Sequence, residues 1–279
     1  MRVCIAGCGD LGTRLGLRLI ELGYDVTGIR RRIELLPSSF HGCRLDLNDP
    51  SGGLSNIPPA DMMVYTAAAA SRDVESYRAT YIDGLKTMLE AAQLFGGRLQ
   101  QIFFVSSTSV YGEHHGAWVD EDTDSVPLGY TGSIMREAEA LVANYPVKSC
   151  SIRFGGIYGP ERTFLVRRIR SGEARAKFDD AFFSNRIHID DCVGTLLHLI
   201  RLGTCADTYV AVDDHPAPYN EVLTWLSAQL GREIPKRGAA SGGRVVGNKR
   251  CSNQRLRDSG YEFRFPSYRE GYRAILQGQ

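Results

Sequence analysis

The feature that most constrains this chain is Gly7-Cys8-Gly9-Asp10-Leu11-Gly12. It follows the apolar run Arg2-Val3-Cys4-Ile5-Ala6 and opens a segment, 11–22, in which Leu11, Leu15, Leu19 and Leu22 recur on one helical face. A strand that turns into a helix through three glycines uses each of them differently. Gly7 permits the tight turn, Gly9 lets the backbone approach a pyrophosphate, and Gly12 allows helix and strand to pack closely. The unpaired N–H groups of the first helical turn, at Asp10 and Leu11, then face a phosphate. The spacing alone is a weak signal. Strand, loop, helix and a second strand over 24–29 occur here in succession, and that context gives it meaning.

The same alternation continues. Apolar runs at 43–47, 62–65, 101–105 and 149–154 read as strands, with helical patterns over 74–95 and 134–144 between them. This βαβα order predicts an α/β fold, a Rossmann-type doubly wound parallel sheet, with a smaller C-terminal lobe that covers the substrate. We place the dinucleotide-binding domain at 1–154 and a mixed lobe forming the substrate pocket at 155–279, the two interwoven as one structural unit. Helices are expected there at 164–170, 191–201, 220–230 and 267–276, with a strand at 208–212 and a partly mobile Gly-rich, basic loop within 231–257. Ligands bind beyond the carboxyl ends of such strands. Asp46, Leu47, Thr66, Ala67, Ala68, Ser106, Phe154, Gly156 and Ile157 stand at those ends and are expected to line the cofactor.

The second strand ends in Arg30-Arg31-Arg32, where a chain that binds NAD usually carries an acid for the ribose 2′-hydroxyl. A guanidinium forms a bidentate, charge-assisted pair with a 2′-phosphate. Such a contact is worth roughly 1.5–3 kcal/mol, about 10- to 150-fold in preference. Arg30 and Arg31 therefore favour NADP(H) over NAD(H), with a solvated basic turn as the plainer reading. Asp46 reads equally as a partner for the adenine amine or as a turn residue.

The 279 residues carry a net charge of +1, which argues against nucleic acid or an anionic membrane as the main partner and leaves a small molecule. Seven scattered cysteines without a CxxC pair argue against a disulfide framework or zinc site and read as buried free thiols, although Cys8 could be a reactive thiol beside the cofactor. The first residues form a strand rather than a signal-peptide core, and no run approaches the roughly 18 apolar residues of a membrane span. The expected location is the cytoplasm.

Beyond the glycine loop, the chain carries Val105-Ser106-Ser107-Thr108-Ser109-Val110-Tyr111-Gly112, then Arg153-Phe154-Gly155-Gly156-Ile157-Tyr158-Gly159-Pro160, then Asn185-Arg186-Ile187-His188-Ile189-Asp190-Asp191. Ser252-Asn253-Gln254-Arg255-Leu256-Arg257 and Pro266-Ser267-Tyr268-Arg269-Glu270-Gly271 follow. In this order, over nearly the whole length, these motifs resemble the extended or atypical short-chain dehydrogenase/reductases, the NAD(P)-dependent epimerase/dehydratase family. The resemblance implies catalysis by a hydroxyl that orients the substrate oxygen, a Tyr acid or base, and a Lys four residues after it. Ser107, with Thr108 as its neighbour, matches the hydroxyl, and Tyr130 matches the Tyr. Ile134 stands where the Lys belongs. Without an ammonium nothing favours the phenolate, so Tyr130 can donate a proton but is a poor base. Arg136 lies two residues further on, about 200° around the helix. Tyr130 as a wall of the pocket is at least as good a reading as Tyr130 as catalyst.

Other candidates have plainer readings. Tyr111 packs structurally, His188 anchors, and Asp190 and Asp191 cap the next helix. His114 and His115, near Glu113, Asp120, Glu121, Asp122 and Asp124, lack a metal-ligand spacing and read as a solvated loop that could reach a substrate, so no metal is expected. Lys236, Arg237, Arg244, Lys249, Arg250, Arg255 and Arg257 either hold an anionic substrate group or solubilise a loop. The first expectation is an NADP-dependent oxidoreductase or epimerase/dehydratase acting on a carbonyl or alcohol of a small, anionic or sugar-like molecule. The alternative is an NADP(H)-binding sensor or partner-binding protein, impaired in catalysis by Ile134. A homodimer through paired helices, 74–95 among them, is implied by the resemblance alone.

Overall fold

The computed structural model describes residues 1–49, 53–179, 181–238 and 246–278. The chain runs β1 (Arg2–Ala6), α1 (Asp10–Glu21), β2 (Asp25–Arg30), β3 (His41–Arg44), β4 (Met62–Tyr65), α2 (Val74–Arg78), α3 (Gly84–Gln93), β5 (Gln101–Ser107), β6 (Trp118–Val119), α4 (Tyr130–Ala143), β7 (Lys148–Phe154), β8 (Gly156–Tyr158), α5 (Phe164–Arg170), β9 (Phe183–Ser184), β10 (Arg186–His188), α6 (Ile189–Leu202), β11 (Thr208–Ala211), β12 (Ala217–Pro218), α7 (Tyr219–Gln229), β13 (Arg250–Cys251), α8 (Gln254–Asp258) and α9 (Tyr268–Leu276).

Seven strands form one sheet in the order β11-β7-β5-β4-β1-β2-β3. β1 pairs in parallel with both β2 and β4, so the strand order reverses between β1 and β4. A parallel sheet covered by helical crossovers buries both faces of its strands, which explains their continuous apolar runs. Val3, Cys4, Ile5, Met63, Val64, Ile102, Phe103 and Phe104 are all inaccessible to solvent.

The described residues divide into two compact units drawn from interleaved stretches of chain: 1–110, 130–153 and 195–209 make the first; 111–129, 154–194 and 210–279 make the second. The second has its own core, in which Tyr158, Leu165, Ile169, Val222, Leu226 and Tyr272 pack together.

Several local expectations need correction. The helix expected over 74–95 is two helices joined by a π-helical turn, Ala79–Asp83. The cause is Tyr65, whose hydroxyl donates to the Thr80 carbonyl at 2.5 Å, an oxygen a regular helix would spend on itself. The third strand sits earlier than expected, because it pairs through Thr27↔His41 to Arg30↔Arg44. It ends in an Asx turn in which Asp46 accepts the Asn48 N–H at 3.1 Å. Asp191 does not cap α6: its carboxylate accepts the Tyr261 hydroxyl and the Arg264 and Phe265 N–H groups, pinning the segment before α9. Residues 231–257 are not one loop, since β13 and α8 lie within them, and the part at 239–245 falls outside the described residues.

In the first unit a buried ionic cluster ties α4 to the sheet. Arg153 on β7 donates Nε and Nη2 to the two oxygens of Glu139 on α4 at 3.0 and 2.8 Å. Ser106 on β5 donates its hydroxyl to the same carboxylate at 2.5 Å. Removing one partner strands the other charge in the interior. Arg153→Met is expected to lower stability by about 3–5 kcal/mol, read as a drop in the urea midpoint without a change in slope. A loss under about 1 kcal/mol would show that water reaches the pair.

Candidate functional site

The glycine loop turns in the crevice where the strand order reverses. Gly7 has φ +74°, and a Cβ there would stand 2.3 Å from the Ala67 Cα. A Cβ at Gly12 would stand 2.8 Å from Thr66 Oγ1 and 2.9 Å from Ile5 Cγ2. The Thr66 hydroxyl donates to the Gly7 carbonyl at 3.1 Å, stitching the loop after β4 to the loop after β1. Gly9 differs: a Cβ there would meet nothing nearer than the Gly7 carbonyl at 3.8 Å. Gly9 is the N-cap of α1 and offers no side chain to its N–H groups. An uncapped helix start beside open space fits a pyrophosphate. In the first turn, Asp10 pairs with Arg14 at 2.7 Å and Leu11 is buried.

At the end of β2, Arg30 is half-buried and Arg31 exposed. Arg31 lies 3.9 Å from Asp46 across open solvent, a weak pair that a phosphate would outcompete. Asp46 thus serves both the turn and Arg31. Leu47 is buried, with its Cβ 3.1 Å from where a Gly84 side chain would begin. Ala67 is half-buried and Ala68 exposed, whereas the Ser106 hydroxyl is committed to Glu139. Cys8 is buried, and burial pushes its thiol up to about 11, which removes it as a reactive group. Phe154, Gly156 and Ile157 belong to the second unit, where Phe154 is buried and Gly156 exposed.

The catalytic candidates all belong to the first unit. The Ser107 Oγ accepts the Ser109 N–H at 3.1 Å, which leaves its own proton to donate. Thr108 is buried in the short helical turn that follows, against which α4 packs. Tyr130 opens α4, is 37% exposed, and donates its hydroxyl to the Arg72 carbonyl at 2.5 Å. Ile134, one turn on, is only 3% exposed, within the buried stripe of α4.

In the second unit five of the seven basic residues singled out above are engaged, and Lys236 is exposed. Lys249 is buried and donates to the Tyr111 carbonyl at 2.9 Å. Arg250 lies over Trp118 and Phe183 with Nε on the Gly116 carbonyl. Arg255 pairs with Asp122 and Arg257 with Asp214, while Arg237 donates to the Lys177 and Phe178 carbonyls. Arg244 lies outside the described residues. The loop of His114 and His115 is held by residue 248, through His114 N–H to the Asn248 carbonyl and Glu113 to the Asn248 N–H. Among the described residues no group of three or more His, Cys, Asp or Glu could hold a metal ion.

The profile of the NAD-dependent epimerase/dehydratase family matches residues 3–210. The chain belongs to that family. A candidate NAD-dependent epimerase/dehydratase from Methylobacillus flagellatus is 36% identical, with a TM-score of 0.84 over 99% of this chain and 98% of that one. Protein YeeZ of Escherichia coli is 28% identical over 95% of this chain and 96% of its own. A 3-diazoavenalumate denitrifying reductase from a Streptomyces species is 26% identical over 97% and 99%. UDP-glucose 4-epimerase from Thermus thermophilus, solved with NAD, shares the fold at a TM-score of 0.82 and 20% identity, over 99% of this chain and 98% of that one. The epimerase/dehydratase assignment accounts for the Rossmann-type sheet and its dinucleotide loop. No helix among the described residues is long and apolar enough to cross a membrane.

The glycines separate packing from binding. Gly9→Ala is expected to fold with an unchanged melting temperature and to lose dinucleotide affinity, measured by fluorescence titration. Gly7→Ala is expected to lose stability as well, by at least about 1–2 kcal/mol for the left-handed backbone alone. Equal melting curves for the two variants would overturn this division.

Proposed function

We propose that this epimerase/dehydratase-family chain is an NADP(H)-dependent reductase of a small, anionic molecule, acting on a carbonyl or a comparably electrophilic carbon. The observation that carries the reading is the start of α4: an accessible tyrosine that donates its hydroxyl proton, with a buried isoleucine in place of the family's lysine. A nicotinamide dinucleotide held at the Gly7–Gly12 loop would supply a hydride. Ser107 orients the substrate oxygen with the proton that its contact to Ser109 leaves available. Tyr130 would give its hydroxyl proton to that oxygen. Oxidation would need Tyr130 to start as a phenolate, and no cation at 134 assists that. The preference for NADP(H) is supported by Arg30 and Arg31 at the end of β2, where no carboxylate occupies the strand end itself. The Streptomyces relative is named as a reductase, and of the anion of an acid, which supports both the direction and the substrate class.

A second reading, a binding protein without turnover, is favoured by the present use of the Tyr130 hydroxyl on the Arg72 carbonyl. The two part on one experiment. With NADPH and a panel of carbonyl-bearing carboxylates, reduction is expected to outpace the reverse reaction at neutral pH. Tyr130→Phe is expected to lower kcat/KM about 10²–10⁴-fold. Activity unchanged by both Ser107→Ala and Tyr130→Phe would refute the mechanism.

The cofactor choice has its own test. NADPH is expected to bind more tightly than NADH by about 10- to 150-fold, and the Arg30→Ala, Arg31→Ala double variant is expected to bind both alike. A preference that survives in the double variant would place the discrimination elsewhere.

A further inference from the structure

Arg186 of the second unit is a half-buried cation that holds no carboxylate among the described residues. Arg186 opens β10, paired in register with Gly156 of β8. Its side chain is half-buried, its Nε is shut off from solvent without a hydrogen-bond partner, and its guanidinium forms no ion pair with a described residue. The Tyr219 ring lies 5.9 Å from its Cζ. Every neighbouring contrast runs the other way: Arg255, Arg257, Arg264 and Arg269 of the same unit each hold a carboxylate.

The acid whose charge faces Arg186, Asp213, forms no ion pair with it. Asp213 is locked to the same backbone, its N–H bonding the Arg186 carbonyl at 2.7 Å. Its Oδ1 accepts the His215 N–H at 3.2 Å, and its Oδ2 is buried with no partner. Burial pushes the Asp213 carboxyl well above the usual carboxylate range, which weakens it as a counter-charge. A guanidinium carries five donors in a planar fork, and desolvating one without an acceptor is costly. Nε lies too deep for a ligand to reach, and the terminal N–H groups of the half-buried fork are the ones an incoming acceptor would meet.

We propose that Arg186 anchors a small oxyanion, a carboxylate or a phosphate, held by the guanidinium fork beside Tyr219 within the second unit. This rests on the reading of the chain as an enzyme of a small anionic molecule. It moves the anionic contact away from the basic stretch at 236–257 to a single arginine of the second unit.

The test reads Arg186 directly. Its Nε–H resonance is identified by ¹⁵N NMR through its absence in Arg186→Lys, and is followed as cinnamate or inorganic phosphate is added to the NADPH-loaded protein. A saturating shift with one anion supports the proposal, and the anion that produces it names the source. Arg186→Gln is expected to weaken that anion about 10- to 150-fold, with part of the affinity recovered in Arg186→Lys. A resonance moved by neither anion, or equal anion affinity in Arg186→Gln, overturns the proposal. NADPH titration and melting curves of Arg186→Gln keep the two readings apart. Unchanged NADPH binding with lost anion binding confirms the anchor. NADPH binding absent from the wild type refutes the cofactor reading and leaves the anion titration to stand by itself.

Discussion

Everything in the first unit is arranged around one close approach, that of Gly7 to Ala67. Two parallel neighbours, β1 and β4, release their chains into the same crevice, and there is no room for a side chain between them. The left-handed backbone of Gly7 turns the first chain out of the way, and the Thr66 hydroxyl fastens the two loops by bonding the Gly7 carbonyl. Gly12 answers the same crowding, against Thr66 and Ile5. Two of the three glycines are therefore required by the protein's own packing. Only Gly9 has space around its backbone, and that space lies at the start of α1, where the unpaired N–H groups accumulate. The loop is suited to an anion because packing has already forced the helix to begin there.

The helix that carries Tyr130 obeys a similar economy of charge. Its buried stripe includes Ile134, Ala138 and Val142, and the one ionised group it sends inward, Glu139, is matched by Arg153 and Ser106. The carboxylate therefore has no need of a second cation on the helix. A lysine at 134 would enter an apolar stripe without an acceptor of its own, and its desolvation would outweigh any contact to the phenol. Losing the lysine thus agrees with the packing of this helix. The chemistry follows: a tyrosine without a cation donates protons and does not collect them.

The legible part of the sequence was the part whose causes are local. Strands with both faces buried are apolar runs whatever surrounds them, and a glycine loop between a strand and a helix carries its meaning within a few residues. What escaped has distant causes. The π turn at 79–83 comes from Tyr65, and the true work of Asp191 comes from residues 261 to 265. β6 and β13 are two residues each and pair across more than a hundred positions, so no periodicity announces them. Cys8 looked reactive because it sits in the loop, but its burial depends on β1 and β2 and cannot be read from its neighbours in sequence. The candidate catalytic positions rest on resemblance, and the isoleucine at 134 is visible in the sequence, but its burial is not.

The same distinction decides where an anionic ligand can be held. A run of basic residues shows where charge is concentrated and says nothing about whether it is already used. In the stretch at 236–257, Lys249 is spent on a backbone carbonyl, Arg255 and Arg257 on carboxylates, and Arg250 on a carbonyl between two rings. To hold a ligand, each would first have to surrender a partner, and the cost of that exchange would be subtracted from the affinity. Arg186 stands alone between an asparagine and an isoleucine and attracts no attention in the sequence. Among the described residues it has no carboxylate or carbonyl partner to surrender, only the Tyr219 ring beside it, and the desolvation of its Nε is already part of the folded state. An incoming oxyanion therefore gains nearly the full charge-assisted contact. The arginine with the least conspicuous sequence context is for that reason the one best placed to recognise a ligand.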